Sequence, residues 1–322
     1  MKILGIETSH DDASIALIEE NSVKILLTIS QISIHEKFGG TVPELAAREH
    51  SRNLAIILQK LLAKKVDFST LDAIAYTENP GLIGPLKMGF LFASALAIFF
   101  KKKLIPINHL SGHFWSASIE KNLDFPVLSL LISGGHSQLI WAKSPTNLQI
   151  IGTSIDDALG EIYDKIARNL KLGFPGGPKI DLICQEKIQK KLQLIEFTLP
   201  KTLENPLNFS FSGLKTQVIN YIHQLEQKKE INPEKVKEIA ISFQKTVVKY
   251  LKRQLDLALK MKKNIKTITL VGGVAANSEI RKLIESYAEK FKIVIPEKKF
   301  CTDNGAMIAK AAQILLENSE EK

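Results

Sequence analysis

The first 30 residues, MKILGIETSHDDASIALIEENSVKILLTIS, contain three segments with the composition and periodicity of β-strands. These segments cover residues 2–7, 13–19 and 23–30, and short polar turns separate them. Strands joined by such short turns pair with their sequence neighbours in an antiparallel arrangement. The chain is therefore expected to begin with an antiparallel β-meander.

Alternating helix and strand patterns follow the meander, and this order predicts an α/β fold. The predicted elements are a helix at 44–64, a strand at 72–77, a helix over 88–100 and a strand at 104–107. The helix over 88–100 is strongly apolar, but it is shorter than the roughly 20 residues of a membrane-spanning helix. We therefore expect it in the core of the protein.

The same order of elements recurs in the second half of the chain. Its predicted strands are 126–132, 136–142, 267–271 and 292–295. This repeat predicts a duplicated α/β fold with a ligand cleft between the halves. We place an N-terminal subdomain at residues 1–108 and a C-terminal subdomain at 109–322, with a helical insertion at about 156–263 in the second.

Charge and cysteine content narrow the functional class. The 322 residues include 43 Lys+Arg and 34 Asp+Glu, a formal net charge of +9, and only five of the cations are arginines. A polyanionic partner would explain this excess, and so would a general preference for lysine. The two cysteines, Cys184 and Cys301, lack the C-x-x-C spacing of a zinc site. Few cysteines and no export signal indicate a reducing, cytoplasmic location.

One histidine pair has the spacing of a metal site. His109 and His113 form H-x-x-x-H, which places two imidazoles on one face of a helix. Leu110 stands where zinc proteases carry their general base, so peptide hydrolysis is disfavoured. A third ligand must come from elsewhere, and Asp303 and Cys301 are both candidates.

Glycine turns and acidic residues follow several predicted strands. The turns at 133–135, 176–177 and 272–273 offer backbone amides that suit an anionic ligand, and none forms a Walker or dinucleotide-binding motif. Asp11 follows the first strand, where its carboxylate could hold a metal-bound water, a phosphate counterion or a reacting amine. Asp164 precedes the second glycine turn and could accept the hydroxyls of a ribose.

Nine segments spread over nearly the whole chain match one family pattern: GIETSHDDAS, GGTVPELAAREH, the His109 and His113 pair, LLISGGHSQL, SIDDALGEIYDKIAR, FPGGPKID, FSFSGLKT, GGVAAN and CTDNGAMIA. Together they resemble the tRNA N6-adenosine threonylcarbamoyltransferases, bacterial branch TsaD, a family formerly called O-sialoglycoprotein endopeptidases. The resemblance implies the duplicated fold of actin, sugar kinases and Hsp70, known as the ASKHA fold.

The resemblance also implies roles for individual residues. His109, His113 and Asp303 would hold one divalent ion, Fe²⁺ or Zn²⁺, and Asp11 is the candidate for assisting the amine. The site for threonylcarbamoyl-AMP would be lined by Leu131, Ile132, Ser133, Gly134, Gly135, Asp164, Gly177, Asp181 and Asn277.

The implied reaction transfers the threonylcarbamoyl group from threonylcarbamoyl-AMP to N6 of adenosine 37, in tRNAs that read codons beginning with A, and releases AMP. A bound ion is expected to orient the transferred group and to act as a Lewis acid, while turn amides offset the phosphate charge. Because the family does not make its own adenylate, the expected partners are tRNA, a threonylcarbamoyl-AMP synthase and two small accessory proteins, TsaB-like and TsaE-like.

Four positions depart from the family pattern. His10 replaces Cys, Asp12 replaces Glu, Asn79 replaces Gly and Ser111 replaces Glu. None of them is an implied metal ligand, although His10 could approach the metal site as an extra ligand. Two alternatives stay open: an ATPase or kinase of the same fold, which has no need for the histidine pair, and a non-catalytic scaffold subunit.

Overall fold

The computed structural model describes residues 1–186, 192–200, 202 and 204–320, and within them the strands form two five-stranded sheets. Each sheet belongs to one of two compact units. Unit 1 comprises Met1–Leu123 and Pro296–Lys322, and unit 2 comprises Asp124–Ile295.

The sheet of unit 1 has the strand order β3-β2-β1-β4-β5. Its strands are β1 (Lys2–Glu7), β2 (Asp12–Glu19), β3 (Ser22–Ser30), β4 (Ala73–Asn79) and β5 (Lys103–Asn108). Strand β1 pairs antiparallel with β2 and parallel with β4, so the sheet changes from antiparallel to parallel pairing at β1. The predicted meander and both later strands are confirmed to within two residues.

Helices of unit 1 cover its sheet. They are α1 (Ile32–His35), α2 (Pro43–Ala63), α3 (Ile83–Phe100), α4 (His109–Ser116) and α10 (Gly305–Glu320). Helix α10 approaches β1 closely because both contribute glycine: a Cβ on Gly5 would lie 2.2 Å from the Gly305 carbonyl oxygen. Helix α4 packs on α10 in turn. The predicted boundary between residues 108 and 109 therefore falls inside unit 1, at the junction of β5 and α4.

Unit 2 repeats this topology with the strand order β10-β9-β6-β7-β8. Its strands are β6 (Val127–Ile132), β7 (Ser137–Ser144), β8 (Asn147–Thr153), β9 (Thr267–Val271) and β10 (Lys292–Val294). Strand β6 pairs antiparallel with β7 and parallel with β9, as β1 does with its neighbours. Strand β8 was not predicted from the sequence, because only one of its seven residues is buried and its apolar signal is weak.

Among the described residues between β8 and β9, in the region predicted as a helical insertion, there are four helices. They are α5 (Leu159–Asn169), α6 (Gly176–Gln185), α7 (Ser212–Gln227) and α8 (Pro233–Met261), and α9 (Ser278–Glu285) follows β9. Helix α8 begins at a cap in which Asn232 Oδ1 accepts a hydrogen bond of 2.9 Å from Lys235 N. Its buried side includes Phe243 and Tyr250, which anchor it in unit 2.

Helix α3 has one buried face and one exposed apolar face. Ala93, Leu96 and Ala97 pack in the core of unit 1. The large exposed side chains are Ile83, Phe90, Leu91, Ile98 and Phe99. In the part of the chain that the structure describes, α3 is the one helix long and apolar enough to cross a membrane by length and composition. The prediction of a core helix thus holds for one face only, since its bulkiest side chains stay exposed.

The two faces of α3 should differ in their contribution to stability. Leu96→Ala removes a buried side chain, and we expect it to lower the free energy of unfolding by about 2–4 kcal/mol. Ile98 is 79% exposed, so Ile98→Ala should change that free energy by less than about 0.5 kcal/mol. Urea denaturation of both variants measures the difference, and equal losses would contradict this assignment of the faces.

Candidate functional site

The histidine pair occupies the first turns of α4, directly after strand β5. Asn108 begins the helix, and its Oδ1 accepts hydrogen bonds from Leu110 N at 3.0 Å and Ser111 N at 3.2 Å. His109 and His113 lie four residues apart and so point from the same face. Both are buried, with 6% and 0% of their surface exposed.

Asp303 joins the two histidines from the loop before α10. Its Oδ1 lies 3.1 Å from His113 Nε2 and 3.6 Å from His109 Nε2. Two ligand atoms about 2.1 Å from one ion lie about 3.4 Å apart at a tetrahedral angle. The three side chains are therefore spaced to bind a single metal ion.

The ring of His113 shows that a metal fits this cluster. Apart from its approach to Asp303, the ring has no polar partner among the described residues. An unpaired buried imidazole costs free energy, and coordination through a ring nitrogen would remove that cost. Cys301 lies outside this cluster, and its thiol is within hydrogen-bonding distance of the carbonyl oxygens of Pro296 and Glu297, at 3.7 and 3.5 Å.

Glu7 also belongs to the candidate site, although it was not predicted from the sequence. It ends β1, is fully buried, and its Oε2 lies 3.2 Å from His109 Nδ1. Thr77 Oγ1 donates to the same oxygen, and Ser9 N donates to Oε1. A carboxylate on Nδ1 fixes the ring and leaves Nε2 free for a metal. An acidic residue at the end of an otherwise apolar strand was the available signal.

These contacts determine the charges of the cluster. Burial disfavours an imidazolium at His109, but the carboxylates of Glu7 and Asp303 outweigh it and raise its pKa to about 9. Burial likewise favours neutral carboxyl groups, yet His109 lowers the pKa of Glu7 and holds that of Asp303 well below its usual range. Without a metal, His109 therefore carries the proton that a bound cation would displace.

The turn between β1 and β2 places three titratable residues side by side. His10 Nδ1 lies 2.8 Å from Asp11 Oδ1, so His10 pairs with Asp11 and lies outside the cluster of potential metal ligands. Burial raises the pKa of Asp12 to about 7, and the carboxylates of Asp11 and Asp303 add to the effect. Asp12 thus titrates near neutral pH, as a general base requires.

Asn79, one of the departures from the family pattern, contacts Asn108, the residue that caps α4. Its Oδ1 accepts a hydrogen bond of 2.9 Å from Asn108 Nδ2, while Asn108 caps α4 through Oδ1. This substitution therefore supports the residue that starts the histidine helix.

In unit 2, the turn after β6 presents its backbone to open space. Ser133 closes the turn, since its N–H donates to the His136 carbonyl oxygen at 2.8 Å and its Oγ accepts from His136 N at 3.1 Å. A Cβ on Gly134 or Gly135 would meet no atom within 4 Å. Leu131 and Ile132 precede the turn, and both are fully buried. They support the turn from the core of unit 2.

A second glycine turn lies at the same edge of the sheet. Gly272 has φ of 92°, and a Cβ there would lie 2.4 Å from the Ile132 carbonyl oxygen. Only glycine allows this conformation and this approach. The carboxyl ends of β6 and β9 are therefore adjacent, at the place where open α/β sheets bind ligands.

Asp164 lies on α5 and contacts the start of α6, where Gly177 is the second residue. Asp164 Oδ1 accepts a hydrogen bond of 2.7 Å from Gly176 N, and burial raises the pKa of the carboxyl group. The nearest atom to a Cβ on Gly177 would be Tyr163 Cβ at 4.0 Å, so the backbone there is accessible. The carboxylate of α5 and the accessible backbone of the first turn of α6 are thus adjacent.

The structure brings Asp181 and Asn277 together at the start of α9. Asp181 Oδ1 accepts from Ser278 N at 3.0 Å and Oγ at 2.7 Å. Asn277 Oδ1 caps α9 by accepting from Glu279 N and Ile280 N, both at 3.1 Å. These contacts fix the helix terminus, while their predicted contact with a substrate stays a prediction.

Sequence comparison finds relatives over nearly the whole chain. A family profile described as TsaD, tRNA N6-adenosine threonylcarbamoyltransferase, matches residues 24–310. A protein named tRNA N6-adenosine threonylcarbamoyltransferase from Mesomycoplasma hyopneumoniae (strain 7448) is 74% identical over 322 residues, all of both chains. A protein of the same name from Mycoplasma mobile is 51% identical over 319 residues, 99% of this chain and 100% of the relative.

Solved structures of low sequence identity share the fold. The crystal structure of full-length HypF has a TM-score of 0.62 and 14% identity, and the match covers 99% of this chain but only 46% of HypF. The activator of 2-hydroxyisocaproyl-CoA dehydratase from Clostridium difficile has a TM-score of 0.53 and 13% identity, over 100% of this chain and 98% of the activator. These neighbours and the two matching sheets confirm the predicted ASKHA-type fold.

The metal-free protein should lose stability at alkaline pH through His109. The folded pKa of about 9 exceeds the value of roughly 6.5 expected in an unfolded chain. Protonation of His109 therefore stabilises the fold fully below about pH 6.5, and this contribution disappears as the pH rises through 9.

His109→Gln should remove this part of the pH dependence. Thermal melts of chelator-treated wild type and variant from about pH 6 to pH 10 measure the effect. Identical pH profiles for the two proteins would contradict the assigned charge.

Proposed function

The chain belongs to the tRNA N6-adenosine threonylcarbamoyltransferase family, and we propose that the His109, His113 and Asp303 cluster of unit 1 and the glycine turns of unit 2 carry out its reaction. The enzyme transfers a threonylcarbamoyl group to N6 of adenosine 37 in tRNA. The convergence of the three metal-ligand side chains is the observation that carries the proposal. A kinase needs no such cluster, and a non-catalytic scaffold would not need to retain it.

His109, His113 and Asp303 are the proposed ligands of one divalent ion. Two histidines and one carboxylate that leave further coordination positions open are typical of non-haem Fe²⁺ sites, and they also suit Zn²⁺. We therefore propose Fe²⁺ as the ion, with Zn²⁺ as the alternative. When bound, such an ion supplies Lewis-acid polarisation of a carbonyl oxygen.

The proposed donor is threonylcarbamoyl-AMP. A bond forms between N6 of adenosine and the carbamoyl carbon, the bond from that carbon to the phosphate oxygen breaks, and AMP leaves. The N6 amine loses a proton, which requires a base. We propose that Asp11 assists the amine and that neighbouring Asp12, whose carboxyl pKa is raised by burial, accepts the proton.

Residues of unit 2 are proposed to bind the adenylate. Open backbone amides at Gly134 and Gly135 are available to the phosphate oxygens, and accessible backbone at Gly177 extends this surface. Asp164 is the proposed partner of the ribose hydroxyls. Asp181 and Asn277 contribute by fixing the start of α9.

We propose a cytoplasmic location and three protein partners: a threonylcarbamoyl-AMP synthase and two small accessory proteins, TsaB-like and TsaE-like. The exposed apolar side chains of α3 support a protein partner, because soluble monomers rarely expose contiguous apolar surface of this kind. Several of them recur at seven-residue spacing, as Ile83 and Phe90 do, and so share one side of the helix.

The decisive test of this function is modification of tRNA. An unmodified tRNA transcript with adenosine 37 is incubated with the protein, threonylcarbamoyl-AMP, Fe²⁺ or Zn²⁺ and the accessory proteins, and its nucleosides are analysed by mass spectrometry. We expect N6-threonylcarbamoyladenosine with wild type and a loss of at least about 100-fold with His113→Ala. Equal product from His113→Ala would contradict a role for the metal cluster.

Glu7→Gln should weaken metal binding while the three ligands remain. Loss of the carboxylate on the Nδ1 side of a ligating histidine typically costs 10–100-fold in metal affinity, so we expect a rise of about that size in the dissociation constant for Zn²⁺. Competition with a chromophoric chelator measures it. Glu44→Gln, at an exposed position on α2, is the matched control and should bind as wild type does. An unchanged affinity in Glu7→Gln would refute the orienting role.

A further inference from the structure

Helix α8 of unit 2 borders an open groove with a basic rim. The groove has a volume of about 680 Å³, and Leu199, Thr202 and Pro206 line its other side. The charged residues that line it are Lys249, Lys252, Arg253, Asp256 and Lys260. Four cations and one carboxylate give it a clear positive excess, so its ligand should be anionic.

Not all of these cations are equally available. Lys252 lies 2.8 Å from Asp256 Oδ2, and Arg253 donates to the Pro200 carbonyl oxygen. Lys249 and Lys260 are exposed at opposite ends of the groove-facing stretch of α8. Eleven residues of helix separate them by about 16 Å. That span exceeds a single phosphate or carboxylate and fits a polymer with repeated negative charge.

Aromatic rings lie among the cations of this surface. Lys252 Nζ lies 5.7 Å from the ring centre of Tyr287. Past the end of α8, Lys262 and Lys143 lie 4.3 and 4.8 Å from the ring centre of Trp141, which is partly exposed. These cation–π contacts hold the ammonium groups in place on the surface, where they can pair with phosphates.

We propose that a basic face of unit 2, defined as Lys249 and Lys260 of α8, Lys262 directly after it and Lys143 of β7, binds the sugar-phosphate backbone of the substrate tRNA. The identity of the RNA rests on the proposed function. Lysines dominate the face, and lysine provides a point charge rather than the bidentate contacts that read base edges. The face therefore contributes affinity and orientation with little sequence preference.

Binding of a fluorescein-labelled, unmodified tRNA transcript to the full chain tests this inference. Fluorescence anisotropy gives the dissociation constant at several salt concentrations. The double variant Lys249→Ala/Lys260→Ala should weaken binding by about tenfold. It should also make the slope of log K against log[salt] less steep by about 2, one unit for each lost phosphate contact. Lys24→Ala/Lys64→Ala changes the net charge equally at exposed positions of unit 1 and should leave both values near wild type.

The outcomes separate this inference from the proposed function. Equal binding and equal salt slopes for the α8 variant and wild type would overturn the inference, as would a wild type that binds anionic phosphatidylserine vesicles but no tRNA. Product formation by wild type is measured in parallel. Product together with unchanged binding refutes the basic face alone, whereas variant-sensitive binding without product refutes the transferase function alone.

Discussion

The site of unit 1 depends on one buried ion pair, between the Glu7 carboxylate and the His109 imidazole, 3.2 Å apart. A fully buried carboxylate is costly unless charge and hydrogen bonds compensate it, and here Thr77, Ser9 and His109 all do so. The pair links the end of β1 to the first residue of α4. Because Glu7 occupies Nδ1, it leaves Nε2 directed toward Asp303. Protein stability and ligand geometry therefore rest on the same contact.

In both units, close backbone approaches at glycines shape the carboxyl edge of the sheet, where the candidate site residues lie. In unit 1, Gly5 and Gly305 let α10 pack directly on β1, which sets the position of the preceding Asp303 loop. In unit 2, Gly272 lets the end of β9 lie against the Ile132 carbonyl, which aligns two glycine turns. Each unit thus uses the carboxyl edge of its central strands, as the shared topology requires. Unit 1 contains the cluster of potential metal ligands, and unit 2 contains the open backbone surface.

Sequence periodicity predicted the duplicated sheets because their central strands are buried and strongly apolar, and it failed at β8, where only one of seven residues is buried. Spacing identified His109 and His113, but spacing could not choose between Asp303 and Cys301. The structure favours Asp303, because the Cys301 thiol contacts backbone carbonyl oxygens instead of the histidines. Glu7 was missed because its partner lies 102 residues away in sequence. Asp181 was predicted as a substrate ligand, and no pattern indicated that it holds Ser278.

X-ray absorption spectroscopy of the metal-loaded protein tests the central claim most directly, because it reports the atoms around the ion. The account predicts two imidazole ligands with metal–nitrogen distances of about 2.0–2.1 Å, oxygen ligands, and no sulfur. Asp303→Ala should lose one oxygen scatterer and keep both imidazoles. A sulfur scatterer at about 2.3 Å, or a wild-type site with fewer than two imidazoles, would contradict the His109, His113 and Asp303 site.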